Sequence, residues 1–188
     1  MTRANKKIRP VPAPTPKMVR GLLNSLEDTA EAMAVIRTIV ILSKQERRTQ
    51  DRLRMIQVHL RRLVPFDRFA LLRLRAGGVC DVLWSFDGRA WSRGGTSAWP
   101  GTHAADLKAG KVRIRKRIAV RSLPIRPSKQ EGMSHVGDAT IPLGAGPGGL
   151  LVLHLACYEP DRILPEHRDI LDLVQPALSV ALPPLAEE

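Results

Sequence analysis

From Leu22 onward apolar residues recur as Leu22, Leu26, Ala30, Met33, Ile36 and Val40, the spacing of one helix face, and Asn24 or Ser25 can cap the start. The helix is expected to end near Leu42. Ser43 stands three residues before Glu46, a capping-box arrangement that predicts a second helix from there to about Val64. Leu53, Ile56, Leu60 and Leu63 form its apolar stripe, arginines surround the rest, and Pro65 stops it. The period then changes from helical to alternating. "RFALLRLR", the turn "AGG" and "VCDVLWSF" predict two paired strands, the second placing Cys80, Val82, Trp84 and Phe86 on one core-facing side.

The stretch 89–110 is rich in glycine and small residues, with one short helix expected over Thr102 to Lys108, and it reads as a connection folded over the sheet. "KVRIRKRIAVR" follows, a strand with Val112, Ile114, Ile118 and Val120 as the packed side and Arg113, Arg115, Arg117 and Arg121 as the other. After a loop come "DATIPL", a turn "GAGPGG", and "LLVLHLACY", which is apolar on both faces and so expected in the middle of the sheet. A final helix carries Ile170, Leu171, Val174, Leu178 and Leu182 at helical spacing, with acids in its first turn and Pro176 inside.

Composition narrows the picture. A chain of 188 residues, 44% hydrophobic, suffices for one core, so a single domain over 21–183 is expected. Residues 1–20 read as an extended basic tail broken by prolines, and 184–188 as an acidic end. No apolar run is long enough to span a membrane and no secretory h-region is present, so the expected setting is the cytoplasm. Cys80 and Cys157 have no CxxC or ligand spacing; both read as buried small residues, and no metal site is expected. The formal charge of +12 attracts polyanions without choosing among them.

The order of elements, with Ile141-Pro142-Leu143, the glycine turn, Gly149-Leu150-Leu151-Val152-Leu153, the charged stretch Glu166 to Asp169 and the last helix, resembles a GAF domain over roughly Leu22 to Leu182. "AADLKAGKVRI" is similar to the family's segment in which a short helix and a glycine lead into the middle strand. The resemblance implies an α+β fold: an antiparallel sheet with the first and last helices on one face and a pocket on the other, roofed by the glycine-rich connection. It also implies a small-molecule sensor or dimeric signalling module.

Within that frame Trp84, Trp91, Trp99, His103, Asp106 and His154 are the pocket candidates, an aromatic wall with a few polar groups that suits a flat ligand. The competing reading makes the tryptophans cover for the sheet edge and the histidines structural. No cofactor is assigned. Bilin-binding members use a cysteine that the connection lacks, haem would need His103 or His154 as an axial ligand, and the Asn-Lys...Asp-Glu signature of cyclic-nucleotide-binding members is absent. The redox branch of the family relies on cysteines clustered at its pocket. Cys80 and Cys157, expected on separate strands with another between, would lie about 9 to 10 Å apart. No GxSxG, Walker loop or HExxH occurs, "GAGPGG" precedes a strand and reads as a hairpin turn, and Glu27, Glu31, Asp169 and Asp172 read as helix-surface acids.

Two partner readings remain. Leu26, Met33, Ile36 and Val40 lie on a first helix more apolar than one contact needs, which favours a homodimer. Arg47, Arg48 and Arg54 on the second helix, with Arg113, Arg115, Arg117 and Arg121, could hold an anionic ligand or the nucleic-acid backbone; aromatics at 4% and no reader motif argue against sequence-specific reading. The expected function is a non-enzymatic sensory or regulatory module that binds a small molecule or a protein partner and signals in trans. A nucleic-acid-associated regulator and a GAF-type redox enzyme are the alternatives.

Overall fold

The computed structural model describes residues 16–45, 48–99, 104–124, 133–146 and 148–187, with backbone alone at 16–24, 104 and 187. Four helices and seven strands follow in the order α1 (Pro16–Ser43), α2 (Thr49–Leu60), β1 (Arg68–Leu74), β2 (Val79–Phe86), β3 (Trp91–Arg93), β4 (Thr96–Ala98), α3 (Ala104–Lys108), β5 (Arg113–Ala119), β6 (His135–Gly146), β7 (Gly149–Cys157) and α4 (His167–Glu187). The strands form one antiparallel sheet of order β3-β2-β1-β7-β6-β5, with β4 also pairing β2. As the two-sided apolar pattern of "LLVLHLACY" predicts, β7 lies between β1 and β6.

The helix boundaries differ from the pattern-based ones for identifiable reasons. Pro16 opens α1, a position where the missing N–H costs nothing, so the helix takes in residues 16–20 of the expected tail. Glu46 of the expected capping box lies outside the described residues; Ser43 Oγ donates to Val40 O at 2.8 Å within α1, and α2 begins at Thr49 after Arg48. At the other end α4 runs through Pro183 and Pro184 to Glu187, taking in most of the expected acidic end.

One sheet face packs against the helices. Ala32, Val35 and Ile39 of α1, Leu53, Ile56 and Leu60 of α2, and Leu171, Val174, Leu178 and Leu182 of α4 meet Phe69, Leu71, Ile141, Leu153 and Leu155 in the main core. The far face carries two smaller clusters, Ala70, Leu72, Cys80, Val82, Trp99, Leu107 and Val152 in one, and Leu123, Val136 and Ala156 in the other. Gly149 is required where β7 passes β1, because a Cβ there would lie 2.1 Å from the Leu74 carbonyl oxygen.

Two irregularities redistribute the predicted faces. In β2 the pairs Leu71↔Trp84 and Leu72↔Val82 leave Leu83 extra, a bulge that reverses the alternation. Cys80 and Val82 therefore lie on the far face, while Trp84 and Phe86 pack against the helix-side core. In β5, Lys116 and Arg117 together stand opposite Gly137, between the pairs Arg115↔Asp138 and Ile118↔Val136. Val112 and Ile114 thus join the helix-side core, whereas Ile118 and Val120 cover the far face. β5 is also an edge strand, not the middle strand that its approach through α3 led us to expect.

Candidate functional site

On the far face three adjacent strands converge on one carboxylate. In β7, and in β6 as far as Pro142, the even-numbered residues point away from the helices, and the pairs Thr140↔His154 and Asp138↔Ala156 set His154 diagonally across from Asp138. Arg115, directly opposite Asp138 on β5, grips it with both ends of its fork: Nε donates to Oδ1 at 2.8 Å and Nη2 to Oδ2. His154 Nε2 lies 3.0 Å from Oδ2. A carboxylate can only accept, so Nε2 carries the proton. Asp138 and His154 are buried at 1% and 4% exposure, and Arg115 closes the cluster toward solvent. Burial alone would raise the Asp138 pKa, but the hydrogen bonds from His154 and Arg115, with their charges, outweigh it and hold the carboxyl below its ordinary value.

Other polar groups extend the row. Ser85, opposite Ala70 beside His154, shares a hydrogen bond of 2.7 Å with Ser92. Arg68 is buried at 6% exposure, and burial lowers its pKa against the opposing pull of Tyr158 and Asp87. A cleft of about 10 Å³ among Arg68, Ala70, Ser85, His154 and Ala156 has the room of a single water. Trp99 stands edge-on over His154, ring centroids 6.2 Å apart, and its buried Nε1 has no hydrogen-bond partner among the described residues. Beyond Trp99 a larger cavity of about 400 Å³ opens at the tip of the β1–β2 hairpin, bounded by Leu74, Val79, Lys108, Gly149 and Leu150.

The structure brings together some of the sequence candidates and separates others. Trp99 and His154 meet on the far face. Trp91 packs on Phe69 and Phe86 at 5.6 and 5.5 Å on the helix side, and Trp84 lies under the guanidinium of Arg93 at 5.2 Å. Asp106 is tied to Arg113 at 2.9 Å. His103 and Arg47 lie outside the described residues. Arg113, Arg115 and Arg117 each pair with an aspartate of a different segment, namely Asp106 of α3, Asp138 of β6 and Asp161 of the β7–α4 loop. Arg121 is exposed, as are Arg48 and Arg54 around α2. On α1, Leu26 and Met33 are 65% and 54% exposed, whereas Ile36 and Val40 pack partly into the core.

Pattern reading missed Asp138, Arg68, Ser85 and Lys108. The signal for Asp138 was present: a lone carboxylate in the apolar run "VGDATIPL" needs an internal partner. The cysteines stand apart, Cys80 on β2 with the far-face cluster and Cys157 at the end of β7 in the helix-side core, with β1 between the strands. Burial pushes both thiols up, Asp81 adding to the effect at Cys80 and Asp67 at Cys157. Among the described residues no group of three or more His, Cys, Asp or Glu side chains is placed to hold a metal ion, and no helix is long and apolar enough to cross a membrane.

No protein-family profile and no curated protein sequence matches the chain. Solved structures do. A phycocyanobilin-bound GAF domain of a cyanobacterial phytochrome aligns with TM-score 0.55 at 17% identity, covering 80% of this chain and 93% of that one. A GAF domain from A. aeolicus in an inactive state gives TM-score 0.54 at 10% identity over 85% and 98% of the two chains. The GAF domain of a phosphoenolpyruvate-protein phosphotransferase from Coxiella burnetii gives 0.52 at 13% over 81% and 93%. Together with the antiparallel sheet and its helix layer, these likenesses establish the GAF fold for this chain.

Proposed function

We propose that this chain is a non-enzymatic sensory module that binds a small molecule on the sheet face opposite the helices and passes the event to a partner through α1 and α4, as a homodimer. The observation that carries the reading is the buried polar row beneath Trp99. Stability alone does not call for it, since a buried ion pair seldom outperforms apolar packing of the same volume. Here Arg115, Asp138 and His154 are held together beside Ser85, Arg68 and an indole donor with no acceptor among the described residues. The cleft over His154 has room for one water, and the cavity of about 400 Å³ beyond Trp99 supplies the adjoining room for a small molecule. The phytochrome relative is bilin-bound, which supports a ligand role for the fold, although fold alone names no ligand.

Thermal shift against a panel of nucleotides, haem and small metabolites tests the reading. A ligand present at 100 times its Kd stabilises by about 2.7 kcal/mol, a rise of roughly 5 to 10 °C for a chain of this size. No rise with any member of the panel refutes ligand sensing. The dimer rests on Leu26 and Met33 of α1 and Leu173 and Val180 of α4, large apolar side chains left exposed on two helices. Light scattering on the eluting protein is expected to give twice the chain mass, and Leu26→Glu with Val180→Glu to give the single mass; a wild-type monomer removes this half of the reading.

The nucleic-acid alternative loses Arg113, Arg115 and Arg117 to their aspartates, while Arg48, Arg54, Lys116 and Arg121 remain exposed. Generic duplex that fails to bind even at low salt eliminates it. The redox alternative is opposed by two cysteines in different cores, each with burial favouring the neutral thiol.

A further inference from the structure

The cavity at the tip of the β1–β2 hairpin differs from the small cleft over His154 in its chemistry. Leu74, Val79, Leu150 and the indole of Trp99 bound it, and Gly77 and Gly78 turn at its mouth with positive φ. At about 400 Å³ it falls within the ~300–1,000 Å³ of small-molecule sites. Two cations stand at its rim. Arg75 is already committed, with Nε and Nη2 each 2.7 Å from Asp81 Oδ2. Lys108, the last residue of α3, is exposed and has no ion pair among the described residues. The indole of Trp99, on a side chain 8% exposed, serves as wall, its Nε1 closed off from solvent.

Each feature restricts the occupant. Apolar walls require an apolar body, and one uncommitted ammonium favours a single negative charge over a phosphate, which calls for several donors. A cationic ligand would face Lys108 and Arg75 unpaired. We propose that this cavity binds a small carboxylic acid with an apolar body, its carboxylate paired with Lys108 and its apolar body packed against the indole of Trp99. The proposal rests on the ligand-sensing reading above and assigns it a ligand class. Occupancy would couple α3 to the buried cluster, since Trp99 also lies against His154 and α3 is tied to β5 through Asp106 and Arg113.

The test uses the full chain labelled with nitrogen-15, whose three indole N–H resonances are assigned with Trp99→Phe. Octanoate and 3-phenylpropionate are titrated beside octan-1-ol and octylamine. The expected result is a saturable shift of the Trp99 indole resonance with the acids, little with the alcohol and none with the amine, and at least a fivefold weaker affinity in Lys108→Ala, whose exposed side chain leaves folding intact. Absence of a shift, an equal response to the amine, or unchanged affinity in Lys108→Ala overturns the proposal. If the acids fail while another member of the metabolite panel raises Tm, the ligand class falls and ligand sensing stands. If nothing in the panel or among the acids binds, both fall.

Discussion

Asp138→Asn removes one charge from the centre of the far face and almost no volume. Asp138 is 1% exposed and accepts two hydrogen bonds from Arg115 and one from His154. In the variant the amide turns a donor toward one of these donors. His154 can change tautomer and accept from it, but Arg115 cannot, so the cost falls on the guanidinium. A charge-assisted hydrogen bond is worth about 1.5–3 kcal/mol, and unmatching a buried pair reaches ~3–5 kcal/mol. Because Arg115 retains a path to solvent, we expect about 2–3 kcal/mol, a fall in Tm of roughly 4 to 12 °C at this size. The pH dependence gives an independent sign. The folded pKa of Asp138 is depressed, so its contribution is fully present above the unfolded value near ~3.9 and is lost as pH falls through the folded one. Urea unfolding followed by circular dichroism between pH 3 and 7 should show wild type losing up to ~1.4 kcal/mol per pH unit more than the variant on the acid limb. A loss below about 0.5 kcal/mol at pH 7, or acid limbs of equal slope, refutes the view that this carboxylate is held ionised by its partners.

The three strand arginines should differ in energetic weight according to exposure. Arg115→Ala strands a buried carboxylate and should cost about 3 kcal/mol or more, while Arg117→Ala breaks a pair 60% and 53% exposed at 3.2 Å and should cost less than ~0.5 kcal/mol; equal costs in urea unfolding would contradict the assignment. Gly149→Ala drives a Cβ to 2.1 Å from the Leu74 carbonyl oxygen at φ +145°, so β1 and β7 must part, and a loss of about 3 kcal/mol or failure to accumulate folded protein is expected; near-native Tm would show the strands have slack. Cys80 and Cys157, buried and with raised pKa values, should react with a disulfide reagent at pH 8 only after urea is added; rapid native labelling of either would revive the redox reading.

What could be read along the chain is what repeats along it. The helical stripes of α1 and α4, the two-sided apolar run of β7 and the hairpin turn that pairs Gly146 with Gly149 all follow from period and turn residues. The site was less legible, because it depends on where the period breaks. In an unbroken β2, Trp84 would take the place opposite Ala70, next to His154. The extra Leu83 moves Trp84 to the helix side and sets Ser85 there instead. A large ring gives way to a hydroxyl, and the small cleft beside His154 stays open. In an unbroken β5, Arg117 would stand opposite Val136 and extend the charged row along the far face. The pair Lys116 and Arg117 absorbs one position, so Ile118 covers Val136 and the row stops at Arg115. Neither bulge is marked by a glycine or proline in its own strand. Each is visible only through the register of its partner, a long-range property that local periodicity does not carry.

This also decides what the arginines of "KVRIRKRIAVR" do. Three of them answer aspartates brought in by α3, β6 and the β7–α4 loop, so the strand binds its own surroundings before any polymer. β5 is an edge, with one side of its backbone unpaired by any strand among the described residues, and charged side chains with a bulge are how such an edge is kept from pairing with another chain. The Asp161 N–H, bonded to the Lys116 carbonyl at 2.8 Å, covers the edge at the bulge itself. Arg115 is the exception among them in being directed inward. It stands at the end of a polar row that runs through Asp138 to His154 and reaches Trp99, so a ligand that moved Trp99 would act on the only one of the three pairs whose carboxylate is buried. The strand that looked like a grip for an external anion is, in this arrangement, the outer anchor of the site.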